Sequence, residues 1–210
     1  LTDVTDVMEN ATGITVQKYD SERTLFFSRG FQITNYMFDG VPTSVDSAYQ
    51  YGDAVVDMAM YDHVELVRGA TGLMVGAGEP GASVNFIRKR PTRDFQASAA
   101  ATAGTEDYVR GEIDISGPLA FDGRLRGRFV TAGQTTGSTQ DVWEEQRSIF
   151  YGIVEADLGP DTTLSLGASH QDTDPSGTTW AGLPAVDSTG ALIDWPDGPT
   201  TGSDWTQWPT

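Results

Sequence analysis

The second half of the chain is built from segments in which apolar and polar residues alternate. Two such segments cover residues 95–103 and 109–116, and three more lie near residues 124–134, 147–158 and 162–172. Alternation with a period of two gives an extended chain one apolar and one polar face. Segments of about ten residues with this pattern are typical of transmembrane β-strands. The sequence therefore predicts a sheet of five membrane-spanning strands in this half.

The links between these segments predict which side of the membrane each strand end faces. Residues 117–123 and 159–161 form short links, which are typical of periplasmic turns. Residues 104–107 and 135–146 then lie outside the cell, together with the chain after Asp174. We therefore expect the strands to run up and down between a periplasmic rim and an extracellular rim.

Charge and composition exclude several classes of protein. A formal net charge of −17 excludes nucleic-acid binding, which needs a basic face, and 24 glycines favour a β-rich fold. Cysteine is absent, so disulfides and thiolate metal sites are excluded. The sequence contains no apolar run of about 18 residues, so it predicts no transmembrane helix. Membrane-spanning strands do not need such a run. No secretory signal peptide opens the sequence, so we expect a mature, trimmed or fragmentary chain.

The first 60 residues are predicted to contain two helices and several short strands. A helix capped by Thr2 or Asp3 runs to about Asn10, and a strand begins at Ile14. Residues 25–42 are predicted to hold two short strands, with turns at 32–35 and at Asp39-Gly40. Residues 46–60 have the apolar spacing of a helix.

Residues 61–92 are predicted to form a strand, a glycine-rich turn and a second strand. Val64 and Leu66 set the apolar period of the first strand, and Val84 and Phe86 that of the second. The turn between them can adopt positive φ and approach its neighbours closely, because it holds the glycines at positions 69, 72, 76, 78 and 81. A phosphate-binding loop would need a Lys followed by Ser or Thr and then a helix, so we exclude a nucleotide site.

These motifs resemble the plug domain of TonB-dependent outer-membrane receptors. The resemblance rests first on Val-Glu-Leu-Val-Arg-Gly at 64–69, Gly-Glu-Pro-Gly at 78–81 and Val-Asn-Phe-Ile-Arg-Lys-Arg-Pro at 84–91. A second signature, Arg-Gly-Phe at 29–31 with Asn-Tyr-x-x-Asp-Gly-x-Pro at 35–42, is similar to receptors for ferric hydroxamate siderophores such as coprogen and to pyoverdine receptors. The resemblance covers essentially the whole chain.

The resemblance implies a fold of two parts in the bacterial outer membrane. Residues 1–92 form an α+β plug domain with a small mixed sheet. Residues 93–210 form the N-terminal part of a transmembrane antiparallel β-barrel, with about five strands and the start of the third extracellular loop. Transporters of this kind have 22 strands, so the chain is expected to be a fragment of a longer receptor.

The function implied by the resemblance is TonB-dependent uptake of a ferric siderophore, with the hydroxamate type as the first expectation. Iron arrives inside the siderophore complex, so no cofactor of the protein itself is expected. His63 and His170 are too few and too far apart for a metal site, and no catalytic set is visible, so we expect no enzyme. The expected partners are the ferric siderophore, outer-membrane lipid and the TonB energy-transducing complex, the last through a segment before Leu1.

Two alternatives to this function stay open at the level of sequence. A receptor for cobalamin, haem or an oligosaccharide would share the fold. A non-transporting surface adhesin, or a barrel that docks phages and bacteriocins, belongs to a different class. The plug motifs argue against the second alternative, because a passive barrel needs no plug.

Arg29 and Arg68 each precede a glycine at the end of a plug strand. In the family, paired arginines at these motif positions bind glutamates of the barrel wall, and we call this predicted contact the lock. Arginine suits it because its charge is permanent and its guanidinium binds carboxylates in two-point fashion. The alternative is that both are ordinary surface arginines.

The plug's apical loops point to the extracellular vestibule in the family, and here they comprise residues 18–24, 32–35 and 43–51. A ferric siderophore is large, partly apolar and rich in oxygens, so aromatic walls with cationic donors suit it. Each candidate could equally be a turn or packing side chain. The predicted ligand contacts are Arg23, Gln32, Tyr36, Tyr49, Tyr51 and, in the overhanging loop, Trp180.

Overall fold

The computed structural model describes residues 1–43, 56–69, 81–138, 143–179, 185–194 and 207–208. We call residues 1–92 the plug and the sheet of strands β8–β12 the wall. In chain order the elements are α1 (Val4–Glu9), β1 (Ile14–Lys18), β2 (Thr24–Ser28), β3 (Phe31–Gln32), β4 (Asn35–Phe38), β5 (Val41–Thr43), a 3₁₀ turn (Met58–Met60), β6 (Tyr61–Arg68), β7 (Ala82–Arg88), β8 (Gln96–Ala103), β9 (Val109–Ala120), a turn (Phe121–Gly123), β10 (Leu125–Gly137), β11 (Glu144–Gly159), β12 (Thr162–Ser176), β13 (Thr178–Thr179) and β14 (Gln207–Trp208).

Helix α1 begins where its sequence predicts, with Asp3 as the N-cap. The Asp3 carboxylate accepts the backbone N–H of Asp6, and the Asp6 carboxylate accepts the backbone N–H groups of Thr2 and Asp3. This reciprocal arrangement satisfies donors that the first turn of a helix leaves free. The helix is only six residues long, so burial of Val4 and Met8 against the core, rather than intrinsic propensity, is what holds it in place.

Strands β1, β2 and β3 form an antiparallel sheet, and its second turn differs from the prediction. The predicted reversal at 32–35 is wrong, because β3 occupies Phe31–Gln32 and the chain reverses at Arg29 and Gly30. These two residues have φ of 55° and 84°, the combination that a two-residue hairpin turn requires. The turn at Asp39 and Gly40 between β4 and β5 is confirmed, with φ of 50° and 79°.

A four-stranded mixed sheet, in the order β5-β4-β7-β6, is the centre of the plug. Strands β4 and β7 are parallel, whereas the other two pairs are antiparallel, so the predicted small mixed sheet is confirmed. Val84 and Phe86 of β7 are fully buried, and the Phe86 ring lies 5.2 Å from the rings of both Phe38 and Tyr61. Ser83 and Asn85, which alternate with Val84 and Phe86, are also buried, so β7 lies in the core with both of its faces covered.

The glycines that flank the predicted glycine-rich turn do what the sequence suggested. Gly69 has φ of +109°, and a Cβ on Gly81 would lie 3.1 Å from the Phe31 carbonyl oxygen. Both positions therefore favour glycine, one for its backbone conformation and one for close approach. The glycines at 72, 76 and 78 lie outside the described residues.

The predicted helix at 46–60 is wrong over its last residues, and residues 46–55 lie outside the described part of the chain. Asp57 is extended, with φ −70° and ψ 132°, and it caps the 3₁₀ turn at Met58–Met60. The backbone of this segment is hydrogen-bonded to the N-terminus instead: Val4 N–H donates to the Val56 carbonyl and Met58 N–H to the Thr2 carbonyl. Tertiary pairing has therefore replaced the local helix.

The wall is an antiparallel meander in the order β12-β11-β10-β9-β8, which confirms the antiparallel strands. Strands β9, β10 and β12 extend beyond their predicted ends, to Ala120, Gly137 and Ser176. Alternation is as expected, since Ile113, Phe129, Phe150, Val154 and Leu166 are exposed on the outer face. The division of the chain at residues 92 and 93, and the placement of the chain after Asp174 outside the cell, stay predictions.

The inner face of the wall packs directly on the plug. Val130, Ile149 and Tyr151 of the wall belong to the same buried cluster as Phe26 and Phe86 of the plug. The apolar patch of an otherwise polar inner face is therefore explained by the plug that covers it. Among the described residues, no helix is long and apolar enough to cross a membrane.

We expect the 210-residue chain alone to aggregate in buffer without detergent. In the described sheet, β8 and β12 are edge strands with unpaired backbone groups, and the outer face is apolar. Size-exclusion chromatography of the refolded chain, with and without detergent, measures this. A monodisperse, detergent-free chain whose strands melt cooperatively would contradict the expectation.

Candidate functional site

Asp57 of the plug forms a buried, two-point contact with Arg110 of β9. Arg110 donates from Nη1 to Asp57 Oδ2 at 2.7 Å and from Nη2 to Oδ1 at 2.9 Å. The exposed fractions of the two side chains are 1% for Asp57 and 6% for Arg110. Asp57 Oδ1 also accepts the backbone N–H of Ala59 at 2.8 Å. The contact therefore joins the plug backbone to the wall in a place with almost no water.

Three wall strands converge on this contact. Gln134 of β10 accepts from Arg110 Nη1 at 3.1 Å, and Glu112 of β9 accepts from Nη2 at 3.2 Å. The backbone N–H of Asp57 donates to Gln171 Oε1 of β12 at 3.1 Å. Because almost every polar atom of the pair has a partner, the desolvation of two charges is offset by good geometry. We call Asp57, Arg110, Glu112, Gln134 and Gln171 the anchor.

Arg147 of β11 brings a second positive charge next to the anchor. Its Nη2 donates to Glu145, and its Nη1 lies 3.9 Å from Asp57 Oδ2. Within the described part of the chain, its Nε and Nη1 atoms are buried without a hydrogen-bond partner. Asp3, whose backbone pairs with that of Asp57, lies close by, and burial raises the pKa of its carboxyl above the usual value. Helix α1 and the anchor therefore share one electrostatic environment.

The basic cluster that ends β7 makes a second set of ionic contacts with the wall. Lys89 Nζ lies 2.9 Å from Asp114 Oδ2, and Arg90 Nη1 lies 2.8 Å from Glu155 Oε1. Arg128 binds the same Asp114 at two points and donates to the Arg90 carbonyl at 3.0 Å. Arg88 instead forms an ion pair with Asp39 of the plug. The chain is thus fixed to the wall where it leaves the plug.

The two arginines of the predicted lock lie at the ends of their strands, with the Arg29 side chain close to Gly69, the residue that follows Arg68. A Cβ on Gly69 would lie 3.5 Å from Arg29 Nη1, and Arg68 Nη1 donates to the Thr12 carbonyl at 2.6 Å. Both side chains are exposed. Neither forms an ion pair with a wall carboxylate in the described ranges, and the expected glutamate partners lie outside this chain. The lock stays a prediction.

Arg23 lies in the apical loop that joins β1 to β2, where the sequence placed it. Its guanidinium binds Asp20, with 2.6 Å between Nε and Oδ2, and lies 5.8 Å from the centre of the Tyr19 ring. Asp20 also accepts the backbone N–H groups of Glu22 and Arg23, so it orders the whole loop. The loop therefore presents a cation beside an aromatic ring that is 53% exposed.

A wall residue that the sequence did not single out contacts this loop. Trp143, just before β11, donates from Nε1 to Glu22 Oε1 at 2.7 Å. A single tryptophan in a loop has no periodic pattern in the sequence, so only the fold reveals the contact. The apical loop of the plug and the end of the loop between β10 and β11 thus form one surface around Tyr19, Arg23 and Trp143.

The other predicted ligand contacts have different positions. Gln32 is half-buried in β3. Tyr36 is placed in the core and not in an apical loop, because β4 pairs with both β5 and β7 and leaves the side chain 3% exposed. Tyr49, Tyr51 and Trp180 lie outside the described residues. Among the residues that the structure describes, no group of three or more metal-ligating side chains occurs.

Comparisons with a family model and with known proteins indicate the same family. The model of the TonB-dependent receptor plug domain matches residues 1–83. The chain is 45% identical to the ferripyoverdine receptor of Pseudomonas aeruginosa over 99% of this chain and 26% of that protein. It is 43% identical to the ferric-pyoverdine BN7/BN8 receptor of Pseudomonas putida, over 98% of this chain and 25% of that protein. The chain thus spans about a quarter of the length of these relatives.

A solved structure agrees with the fold over the same extent. The crystal structure of the ferripyoverdine receptor of the Pseudomonas aeruginosa outer membrane, bound to ferripyoverdine, has a TM-score of 0.90 with this chain. The sequence identity is 44%, over 98% of this chain and 28% of that one. The plug followed by the first strands of a larger barrel is therefore confirmed.

Replacing Arg110 with Met in the complete receptor should destabilise plug docking by about 3–5 kcal/mol, because Asp57 would stay buried without its partner. Adding Asp57→Asn should restore much of the loss, since it removes the orphaned charge and keeps the cap on Ala59. Protease sensitivity of the plug in increasing urea measures the change.

The control for this experiment is Arg124→Met, which removes an exposed wall arginine bonded to the Asp157 carbonyl. It should change the docking free energy by no more than about 0.5 kcal/mol. Equal protease resistance of the Arg110→Met and Arg124→Met receptors would show that the anchor does not hold the plug.

Proposed function

Because the chain belongs to the TonB-dependent outer-membrane receptors, we propose that the complete protein imports a ferric siderophore of the pyoverdine class. The observation that carries this proposal is the identity of 45% and 43% to two ferripyoverdine receptors over nearly the whole chain. The relatives are receptors, one of them named as a receptor of the outer membrane, which supports the expectation that the complete protein is an outer-membrane receptor and not an enzyme. A hydroxamate siderophore, expected first from the sequence, is the second candidate.

The geometry supports import that is coupled to movement of the plug. Plug residues pack against the apolar patch of the inner wall, including Val130 and Tyr151, in one buried cluster. A large ferric complex passes only when the plug shifts or changes shape, because a packed core leaves no room for it. This requirement distinguishes a transporter from a passive adhesin or docking barrel, which gains nothing from a plug fixed by buried charges.

The N-terminus offers a path for mechanical force to reach the anchor. We place the contact with the TonB complex in a segment N-terminal to Leu1. Tension there would first load the hydrogen bonds of Thr2 and Val4 to Met58 and Val56, at 2.9 and 3.1 Å. The next connection is Asp57 with Arg110. Force and the anchor therefore meet within one short segment, and loss of the anchor removes one of the contacts that hold the plug to the wall.

The apical surface around Arg23, Tyr19 and Trp143 supports siderophore binding at the outer end of the plug. Ferric siderophores present partly charged oxygens around the metal, which an arginine binds well, and planar or apolar groups that aromatic rings bind. Asp20 orients Arg23 but also neutralises part of its charge. Ligand oxygens would therefore share the guanidinium with Asp20. Binding measurements with cobalamin, haem and oligosaccharides test the alternative ligands.

Truncating Arg23 to Ala in the complete receptor should weaken binding of ferripyoverdine. The lost charge-assisted hydrogen bond is partly shielded from water, so the cost should be roughly 1.5–3 kcal/mol, one to two decades in Kd. Trp180→Ala should cost less, because a loop can close again over the ligand. Quenching of tryptophan fluorescence by the ferric siderophore measures both affinities.

The matched control is Arg124→Ala, which removes an exposed cation at the turn between β9 and β10, away from the apical loops. Its affinity should equal that of the unaltered receptor. Unaltered affinity in the Arg23→Ala and Trp180→Ala receptors would place the binding site in other loops. Tighter binding of a ferric hydroxamate than of ferripyoverdine would favour the second candidate.

Replacing both Arg29 and Arg68 with Ala should loosen the plug, if the two form the lock with wall glutamates. A permanently charged guanidinium binds a carboxylate at two points, so each arginine is suited to hold a wall glutamate. The expected result is a lower minimum inhibitory concentration of a large hydrophilic antibiotic than in cells with an Arg124→Ala receptor. Unchanged permeability and uptake in the double variant would show that the two arginines do not form the lock.

A further inference from the structure

The outer face of the wall carries an apolar trough of about 650 Å³. It lies toward the short turns, the end that the link lengths assign to the periplasm. Its volume is in the range of about 300–1,000 Å³ that is common for ligand pockets. The outward side chains that line it are Phe95, Leu119, Phe129, Val154, Leu166 and Ala168.

The trough exists because Gly152 of β11 has no side chain and its neighbour on β12, Ala168, has only a methyl group. At the other end, Leu119 covers Gly127 of β10 and Phe95 covers Gly117 of β9. Gly152 has only open space above it, since a Cβ there would meet no atom within 4 Å. The floor is therefore backbone, and the larger side chains around it form walls.

The family places this face against lipid. The exposed apolar band of the wall, which includes Ile113, Ile115 and Leu164, continues into the trough. Water is not the neighbour of this surface, so the trough takes an apolar group from the membrane. A bilayer offers hydrocarbon everywhere, so retention of one chain depends on close packing and on polar contacts at its end.

Charged side chains exposed at the turn end are the candidates for those polar contacts, although one Nη of Arg124 already donates to the Asp157 carbonyl. Arg93 and Arg124 are exposed there, the first two residues before Phe95 and the second at the turn between β9 and β10. Guanidinium groups suit a lipid phosphate. Asp94 and Asp122 are exposed beside them, and carboxylates suit an ammonium group. This mixture of charges matches a zwitterionic headgroup better than a purely anionic one.

We propose that the trough binds one acyl chain of a zwitterionic phospholipid of the periplasmic leaflet, with its phosphate at Arg93 and Arg124. The proposal rests on the outer-membrane family and not on the identity of the siderophore. The trough faces away from the plug, so the lipid would act on the wall without touching the imported complex.

The test is native mass spectrometry of the complete receptor released from nanodiscs that contain phosphatidylethanolamine. The unaltered receptor should keep one bound phosphatidylethanolamine. Gly152→Leu places a side chain in the trough and should reduce the retained lipid about tenfold or more. Gly133→Leu is the matched control, because this glycine lies on the same outer face, beyond the trough, with no atom within 4 Å of its Cβ.

A second variant and a headgroup comparison keep the test decisive. Ala168→Leu fills the trough from the neighbouring strand and should also lose the lipid. Arg93→Ala with Arg124→Ala should lower retention of phosphatidylethanolamine but not of diacylglycerol, which has the same chains and no charged headgroup. Ferripyoverdine binding should be unchanged in the trough variants, which shows that they fold. Equal lipid retention in the unaltered, Gly152→Leu and Ala168→Leu receptors, or none in the unaltered one, would overturn the proposal.

Discussion

One buried carboxylate, Asp57, connects the parts of this structure to each other. Its side chain holds Arg110 of the wall at two points, its backbone pairs with Asp3 at the start of α1, and it caps the turn that leads into β6. A charge in this position is tolerated only with its partners, because an unpaired buried carboxylate costs several kcal/mol. The position of the N-terminal helix and of the turn before β6 therefore depends on this contact, which holds the plug to the wall together with the ion pairs of Lys89 and Arg90.

The wall and the mixed sheet could be predicted from the sequence because their signals are local. The alternation of apolar and polar residues along 109–116 decides which side chains of β9 face outward. Only one register with the neighbouring strands keeps these side chains on the outer face, since a shift by one residue would exchange the two faces of the strand. The Asp39-Gly40 turn was equally readable, because a two-residue hairpin needs positive φ at both positions. The family motifs extended these local signals to the whole arrangement of plug and wall.

The anchor could not be predicted, because its members are far apart in sequence. Asp57 and Arg110 are 53 residues apart, and each alone looks like an ordinary charged residue. The same reason explains the wrong helix at 56–60, where backbone groups that a helix would use are bonded to Thr2 and Val4. Tyr36, a predicted ligand contact, is buried in β4, which lies between two other strands, and a pairing with distant strands is not visible in the local sequence. Tertiary partners, and not local propensity, decide all three cases.

The most direct measurement is hydrogen exchange at residues 56–60 and α1 in the complete receptor, with and without Arg110→Met. The account predicts that the amides of Val4, Met58 and Ala59 are protected in the unaltered receptor and lose protection together in the variant. The amides of β7, which are held by the mixed sheet, should keep theirs. Unchanged protection of Met58 and Ala59 in the Arg110→Met receptor would contradict the claim that the Asp57 contact holds the plug to the wall.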